Sequence, residues 1–174
     1  MALQEHDGGR DERAYRPNVG VALFSARGLV LIARRIGDDG PETISPGHEW
    51  QMPQGGIDPG ETPEAAAWRE LAEETGVTRA SLLAVHPETL SYDFPPYDGP
   101  PHRLSRFRGQ RQRWFAMRFE GTDDEIDVTR SPAGVPQEFS DWRWERLETA
   151  VELVVPFKRA VYAEIGRAFR RFAA

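Results

Sequence analysis

Apolar positions in this chain switch between runs, alternation and helical spacing, and each switch marks an element. VGVALFS (19–25) is almost continuously apolar, as a strand buried on both faces must be. Ala26-Arg27-Gly28 supplies a turn, and LVLIARR (29–35) runs back as a hairpin partner. Segment 36–48, IGDDGPETISPGH, is polar and turn-rich, so it predicts a surface loop. A short strand at 49–52 enters the Pro53-Gln54-Gly55-Gly56 turn. Further on, 81–85 and 89–94 predict strands, and 95–109, with four prolines, predicts a long loop. QRQRWFAMRF (110–119) alternates: Trp114, Ala116 and Arg118 take one face, Phe115, Met117 and Phe119 the other. An acidic turn or edge (121–127) and a Pro/Gly loop (129–137) lead to Glu138-Phe139 and a strand around 142–144. Pro156 opens a last helix with the stripe Phe157, Val161, Ile165, Ala168 and Phe172. Residues 1–14 predict a polar, mobile tail, and 15–174 predict a single domain without internal repeats. Strands separated by one central and one terminal helix indicate an α/β fold, a mixed sheet between helices.

The helical period is clearest at 63–75, within GGIDPGETPEAAAWRELAEETGV (55–77). Thr62 is placed to cap this helix, Pro63 suits its first position, and Gly76 stands where it should stop. At roughly 100° per residue, Glu70, Glu73 and Glu74 share one arc, while Ala65, Trp68, Leu71, Ala72 and Thr75 predict the core side. Carboxylates at this spacing repel one another, and a cation among them relieves it. Hard oxygen donors without cysteine or paired histidine point to Mg²⁺, with Mn²⁺ as a substitute. Arg69, four residues before Glu73, can hold that carboxylate from the flank, and the Gly55 carbonyl can serve as a further ligand. Glu61 either orients the loop or reaches a metal through water. A solvated acidic helix face would instead carry interspersed Lys and Arg, and would not require the Gly55-Gly56 and Pro59-Gly60 pairs. A divalent site beside a glycine turn suits polyphosphate cleavage, where phosphoryl charge must be neutralised and a water activated.

The rest of the composition narrows the class. The 174 residues include no cysteine, which excludes disulfides and thiol nucleophiles. His6, His48, His86 and His102 are scattered, so no spaced histidine pair exists. No apolar run approaches a membrane span, and the start lacks a signal-like apolar stretch; a cytoplasmic protein is expected, without a membrane or DNA partner. The formal net charge of -6 disfavours bulk nucleic-acid binding. Every basic residue except Lys158 is arginine, a bias typical of genome composition. The five arginines of 103–113 are either an attraction for RNA or a solvated loop. The chain is expected to be a monomer.

The spacing Gly55, five residues, Glu61, seven residues, Arg69-Glu70-Leu71, Glu73-Glu74 and Gly76-Val77 resembles, at each fixed position, the motif of the Nudix hydrolases. Outside that box, YRPNVG (15–20), ARR (33–35), WQMPQGG (50–56), GQRQRWF (109–115), EFSDWRW (138–144) and VPFKRAVY (155–162) resemble one branch, the bacterial RNA 5′-pyrophosphohydrolases and dinucleoside polyphosphate hydrolases. The resemblance implies an α/β/α sandwich with a mixed central sheet and C-terminal helix, Mg²⁺ dependence, and hydrolysis of a nucleotide-linked polyphosphate. It makes Glu138 the general base, beside Arg69, Glu70, Glu73 and Glu74. It places Arg35, Val155 and Phe157 around the first bases of RNA, although Phe157 also begins an apolar stripe and can equally be core. Arg16, Gln54, Arg111 and Arg113 are candidate phosphate contacts; Tyr92 either stacks on a base or packs in a wall. Arg111 and Arg113 share one strand face and Gln110 and Gln112 the other, so both pairs reach one cleft only through a bulge. The expected substrate is 5′-triphosphate RNA, the alternative a diadenosine tetra- or pentaphosphate; a non-catalytic nucleotide-sensing module is a third reading.

Overall fold

A computed structural model describes residues 11–174. Of the tail expected at 1–14, residues 1–10 therefore lie outside the described residues. The remainder is tied down: Arg13 Nη1 donates to the Ser105 carbonyl at 2.7 Å, and the Arg108 amide donates to the Ala14 carbonyl at 3.1 Å.

The sheet is built on β1 (Tyr15–Phe24) and β7 (Gly109–Phe119), which run parallel from Tyr15 opposite Gly109 to Phe24 opposite Arg118. Every other pairing is antiparallel. β2 (Val30–Arg35) joins β1, β3 (Trp50–Gln51) and β8 (Phe139–Glu145); β4 (Gln54–Gly56) joins β1; β5 (Ala80–Val85) and β6 (Leu90–Asp93) join β7. One face carries Val19, Val21, Leu23, Phe115 and Met117 and packs against α1 (Pro63–Thr75). The other carries Phe24, Ile32 and Trp114 and packs against α2 (Leu147–Leu153) and α3 (Arg159–Ala168) through Leu147, Ala150, Tyr162 and Ile165. The alternation along β7 thus sorts into the two cores as its period requires, and the layers are α/β/α. No helix among the described residues is long and apolar enough to cross a membrane.

Three local features differ from the pattern. β1 begins at Tyr15, because Tyr15 to Asn18 pair with β7 although they are not apolar. α2 was not foreseen, since about two turns are too short to display a period. On α1, Ala65 is exposed while Ala66 and Ala67 are buried, because the glutamate flank is covered too, by the β4 turn.

Candidate active site

The turn and helix that carry the acidic box are locked by their own polar groups. Thr62 Oγ1 accepts the Ala65 amide at 3.1 Å, and Gly76 closes α1 at φ 73, a backbone region that favours glycine. Arg69 ties the loop to the helix. It donates to both Glu61 oxygens at 2.8 Å, to the Gly56 carbonyl at 2.8 Å, to Glu70 at 2.8 Å and to Glu73 at 3.2 Å. Glu61 also accepts the Asp58 amide at 3.0 Å, and the Arg69 contact above all holds its carboxyl down at about 2. That is the loop-orienting role among the two open for Glu61. The paired glycines permit two close approaches: a Cβ on Gly55 would collide with the Glu70 carboxylate, and one on Gly56 with the Arg16 guanidinium.

Glu70 and Glu74 face a cleft also lined by Gly55, Gln54, Glu138, Asp39 and Glu42 and by Arg16, Arg35 and Arg103; Glu138 stands next to Arg35, since its carbonyl accepts the Ile36 amide at 3.0 Å. Glu74 accepts the Gln54 amide at 3.2 Å. Desolvation, opposed by Arg69 and reinforced by Glu73 and Glu138, raises the Glu70 carboxyl to about 7. Desolvation, then repulsion from Glu138 and Glu70, pushes Glu74 well above the usual carboxylate range. Glu138 is pushed up as well, first by desolvation; as a residue it remains exposed at the cleft mouth, and the water reaching it limits that push. Among the described residues no three acids or histidines form a ready-made ligand cluster. The donor set nevertheless fits a hard divalent cation: half-buried carboxylates that repel one another are relieved by a cation between them.

The remaining sequence candidates separate. Glu73 lies at the rim, its side chain 53% exposed and paired with Arg69. Gln54 lines the cleft, with its Nε2 3.2 Å from the Tyr92 hydroxyl. Arg16 reaches the cleft too; burial and then Arg103 depress its pKa. Arg111 and Arg113 point to the opposite face of β7, beside Tyr15, Pro17 and Ile57, whereas Gln110 is the β7 side chain that lines the cleft. No bulge interrupts β7 against β1, so the strand period keeps the arginines away from the carboxylates. Val155 is 3% exposed and Tyr92 5% exposed, both in the core, and Phe157 lies behind Tyr92 at 5.7 Å between ring centroids. Arg35 is 5% exposed and donates from Nη2 to the Gly37 and Glu42 carbonyls at 3.2 and 2.7 Å. Glu42 in the cleft lining and Lys158 beneath it were not anticipated. Glu42 sits in a loop whose pattern says only that it is polar; the status of Lys158 as the single lysine was the available signal.

Comparison with known proteins bears on the whole chain. The NUDIX domain family model matches residues 14–165. Proteins named RNA pyrophosphohydrolase are similar along nearly their full length. That of Acidiphilium cryptum is 54% identical, covering 91% of this chain and 92% of its own. That of Afipia carboxidovorans is 50% identical over 94% and 96%, and that of Brucella anthropi 44% over 99% and 100%. Among solved structures, a C. elegans Ap4A hydrolase binary complex superposes with a TM-score of 0.60 at 18% identity, covering 90% of this chain and 98% of that one. A MutT protein from Methanosarcina mazei gives 0.60 at 16% identity, covering 90% and 96%. Sandwich, acidic box and full-length similarity agree: this chain belongs to the Nudix family.

Proposed function

We propose that this protein is a Nudix hydrolase that removes pyrophosphate from the 5′ end of triphosphorylated RNA and leaves a 5′-monophosphate. The observation that carries this is the cleft itself, which brings Glu70 and Glu74 of α1 together with Arg16, Arg35 and Arg103, in a chain 44–54% identical to proteins named for that activity. Mg²⁺, or Mn²⁺ in its place, would be held by Glu70, Glu74 and the Gly55 carbonyl, with Glu73 joining from the rim; it supplies neutralising charge to the phosphoryl oxygens and acidifies water. Arg69 keeps Glu70 and the loop in position. Glu138, raised in pKa and open to the cleft mouth, takes the proton of the attacking water. The water oxygen bonds to phosphorus as a phosphoanhydride P–O bond breaks, and pyrophosphate departs. Arg16, Arg35 and Gln54 meet the phosphate chain, and the half-buried Phe157 receives the first base, while Val155, in the core, offers no surface to it.

A competition assay with Mg²⁺, a short 5′-triphosphate RNA and diadenosine tetraphosphate in one tube tests the substrate. Faster pyrophosphate release from RNA is the expected result; preference for the dinucleotide would replace this substrate with the other. Glu74→Gln should lower turnover by roughly two orders of magnitude or more with the fold intact. Activity like that of the unaltered protein would remove Glu74 from the metal set.

A further inference from the structure

Lys158 is 1% exposed, and the 3-10 turn Pro156–Lys158 sets its ammonium beneath the cleft lining, where it donates to Gln51 Oε1 and Gln54 Oε1 at 3.1 and 3.3 Å. Its charge is met by Glu42, 2.6 Å away, from the loop between β2 and β3. Glu42 is 4% exposed, unusual for a loop acid. Tyr92 donates its hydroxyl to Glu42 Oε1, and Gln110 Nε2 donates to the same oxygen at 3.3 Å. Arg35 Nη1 stands 4.0 Å from Oε2, and both Nη1 and Nε of Arg35 are buried with no acceptor.

An oxyanion met by an ammonium, a phenol, an amide and a guanidinium is held as a phosphate oxygen would be held. Burying such a pair is costly compared with apolar packing, and the loop already has apolar anchors in the buried Pro41 and in Ile44, which packs against the core. The geometry points to Glu42 as an intrachain stand-in for the substrate's phosphate: in the free protein its carboxylate occupies the donors of Lys158, Tyr92 and Gln110, and a polyphosphate binds by displacing it and lifting the loop 36–48.

Lifting takes Pro41 and Ile44 out of their packing, and the loop has glycines where it would bend. A Cβ on Gly37 or Gly47, near its two ends, would meet nothing within 4 Å, and Gly47 has φ 82, so both can act as hinges. Its other side-chain tether to the neighbouring rim is Asp39, bound to Arg103 at 2.7 Å and His102 at 3.0 Å; with Asp39 40% and Arg103 59% exposed, this holds weakly. Displacing Glu42 also frees the Arg35 guanidinium, now held by the Gly37 and Glu42 carbonyls.

The inference rests on the hydrolase reading, but its test needs neither RNA nor turnover. The probe is inorganic imidotriphosphate, whose P–N–P bridges resist hydrolysis, titrated calorimetrically with Mg²⁺ present. Glu42→Gln keeps an acceptor for Tyr92 and removes the competing charge, so it should bind the probe about tenfold more tightly. The displacement cost is common to all polyphosphates, so kcat/KM should rise by one factor for RNA and dinucleotide alike. Adding Lys158→Met to Glu42→Gln should abolish the gain. Unchanged or weaker binding by a folded Glu42→Gln would overturn the proposal, as would a gain that survives loss of Lys158. A distance measurement that keeps Glu42 decides independently, even if Glu42→Gln fails to fold. Because the chain has no cysteine, spin labels can be placed on cysteines introduced at Thr43 in the loop and at the exposed Glu120. Saturating probe should move the two labels apart; an unchanged distance would overturn displacement. Absent RNA turnover would remove the proposed substrate without touching these readouts.

Discussion

Gly55 illustrates how a single missing atom shapes the site. Its φ is not in the left-handed region, so alanine is allowed by the backbone there; the obstacle is the Glu70 carboxylate lying where the methyl would go. Gly55→Ala should therefore lower turnover at least about tenfold through a displaced Glu70, while costing only about 1–3 kcal/mol of stability. Steady-state rates alongside urea unfolding would check both, and normal turnover would mean that Glu70 does not need this approach. Arg69 sets a second case. Its planar fork serves Glu61, Gly56, Glu70 and Glu73 together, which an ammonium cannot imitate. Arg69→Lys should reduce kcat more than it raises KM, because the loop and Glu70 lose their common tether; a pure KM effect would assign Arg69 to substrate contact.

Between elements, the parallel pair β1–β7 carries the load. Trp114 of β7 lies over Gly20 of β1, and a Cβ at Gly20 would run into the indole. Gly20→Ala should cost about 1–3 kcal/mol by overpacking, read as a lower urea midpoint with an unchanged slope. The helical layer is fastened to the cleft by Tyr162 of α3, whose hydroxyl accepts the Met52 amide at 2.8 Å. Tyr162→Phe leaves that buried amide without an acceptor, at roughly 1–3 kcal/mol. Thermal melting should show it, and an unchanged midpoint would mean that water replaces the hydroxyl.

For the whole molecule, the crowded cleft acids predict how stability follows pH. Glu70 sits at about 7 in the metal-free fold, against an ordinary value of 4.5. A carboxyl raised on folding binds its proton more tightly in the native state, so its contribution is complete below pH 4.5 and is lost as pH rises through about 7. Glu74 shifts in the same direction. In chelator, the melting temperature should fall across this window, Glu70→Gln should flatten the fall, and Mg²⁺ should reduce it by binding the ionised form. A melting temperature flat in chelator would contradict the desolvation of Glu70.

Much was legible in the chain because it is local. A capped helix start, a glycine stop and carboxylates at helical spacing declare α1 and its acidic face, and period-two alternation sorts β7 between two cores. What depends on distant partners was hidden. Glu42 is buried where Lys158, 116 positions later, meets its carboxylate together with Tyr92 and Gln110. The pair Arg111 and Arg113 was a candidate for the cleft until the parallel register with β1 assigned them to the other face. The sequence by itself determined the family, the helix and the acidic chemistry, since short-range spacing and backbone preference specify them. Only the tertiary structure decided which charges share the cleft and which loop covers it, because burial and ion pairing across the chain follow from packing.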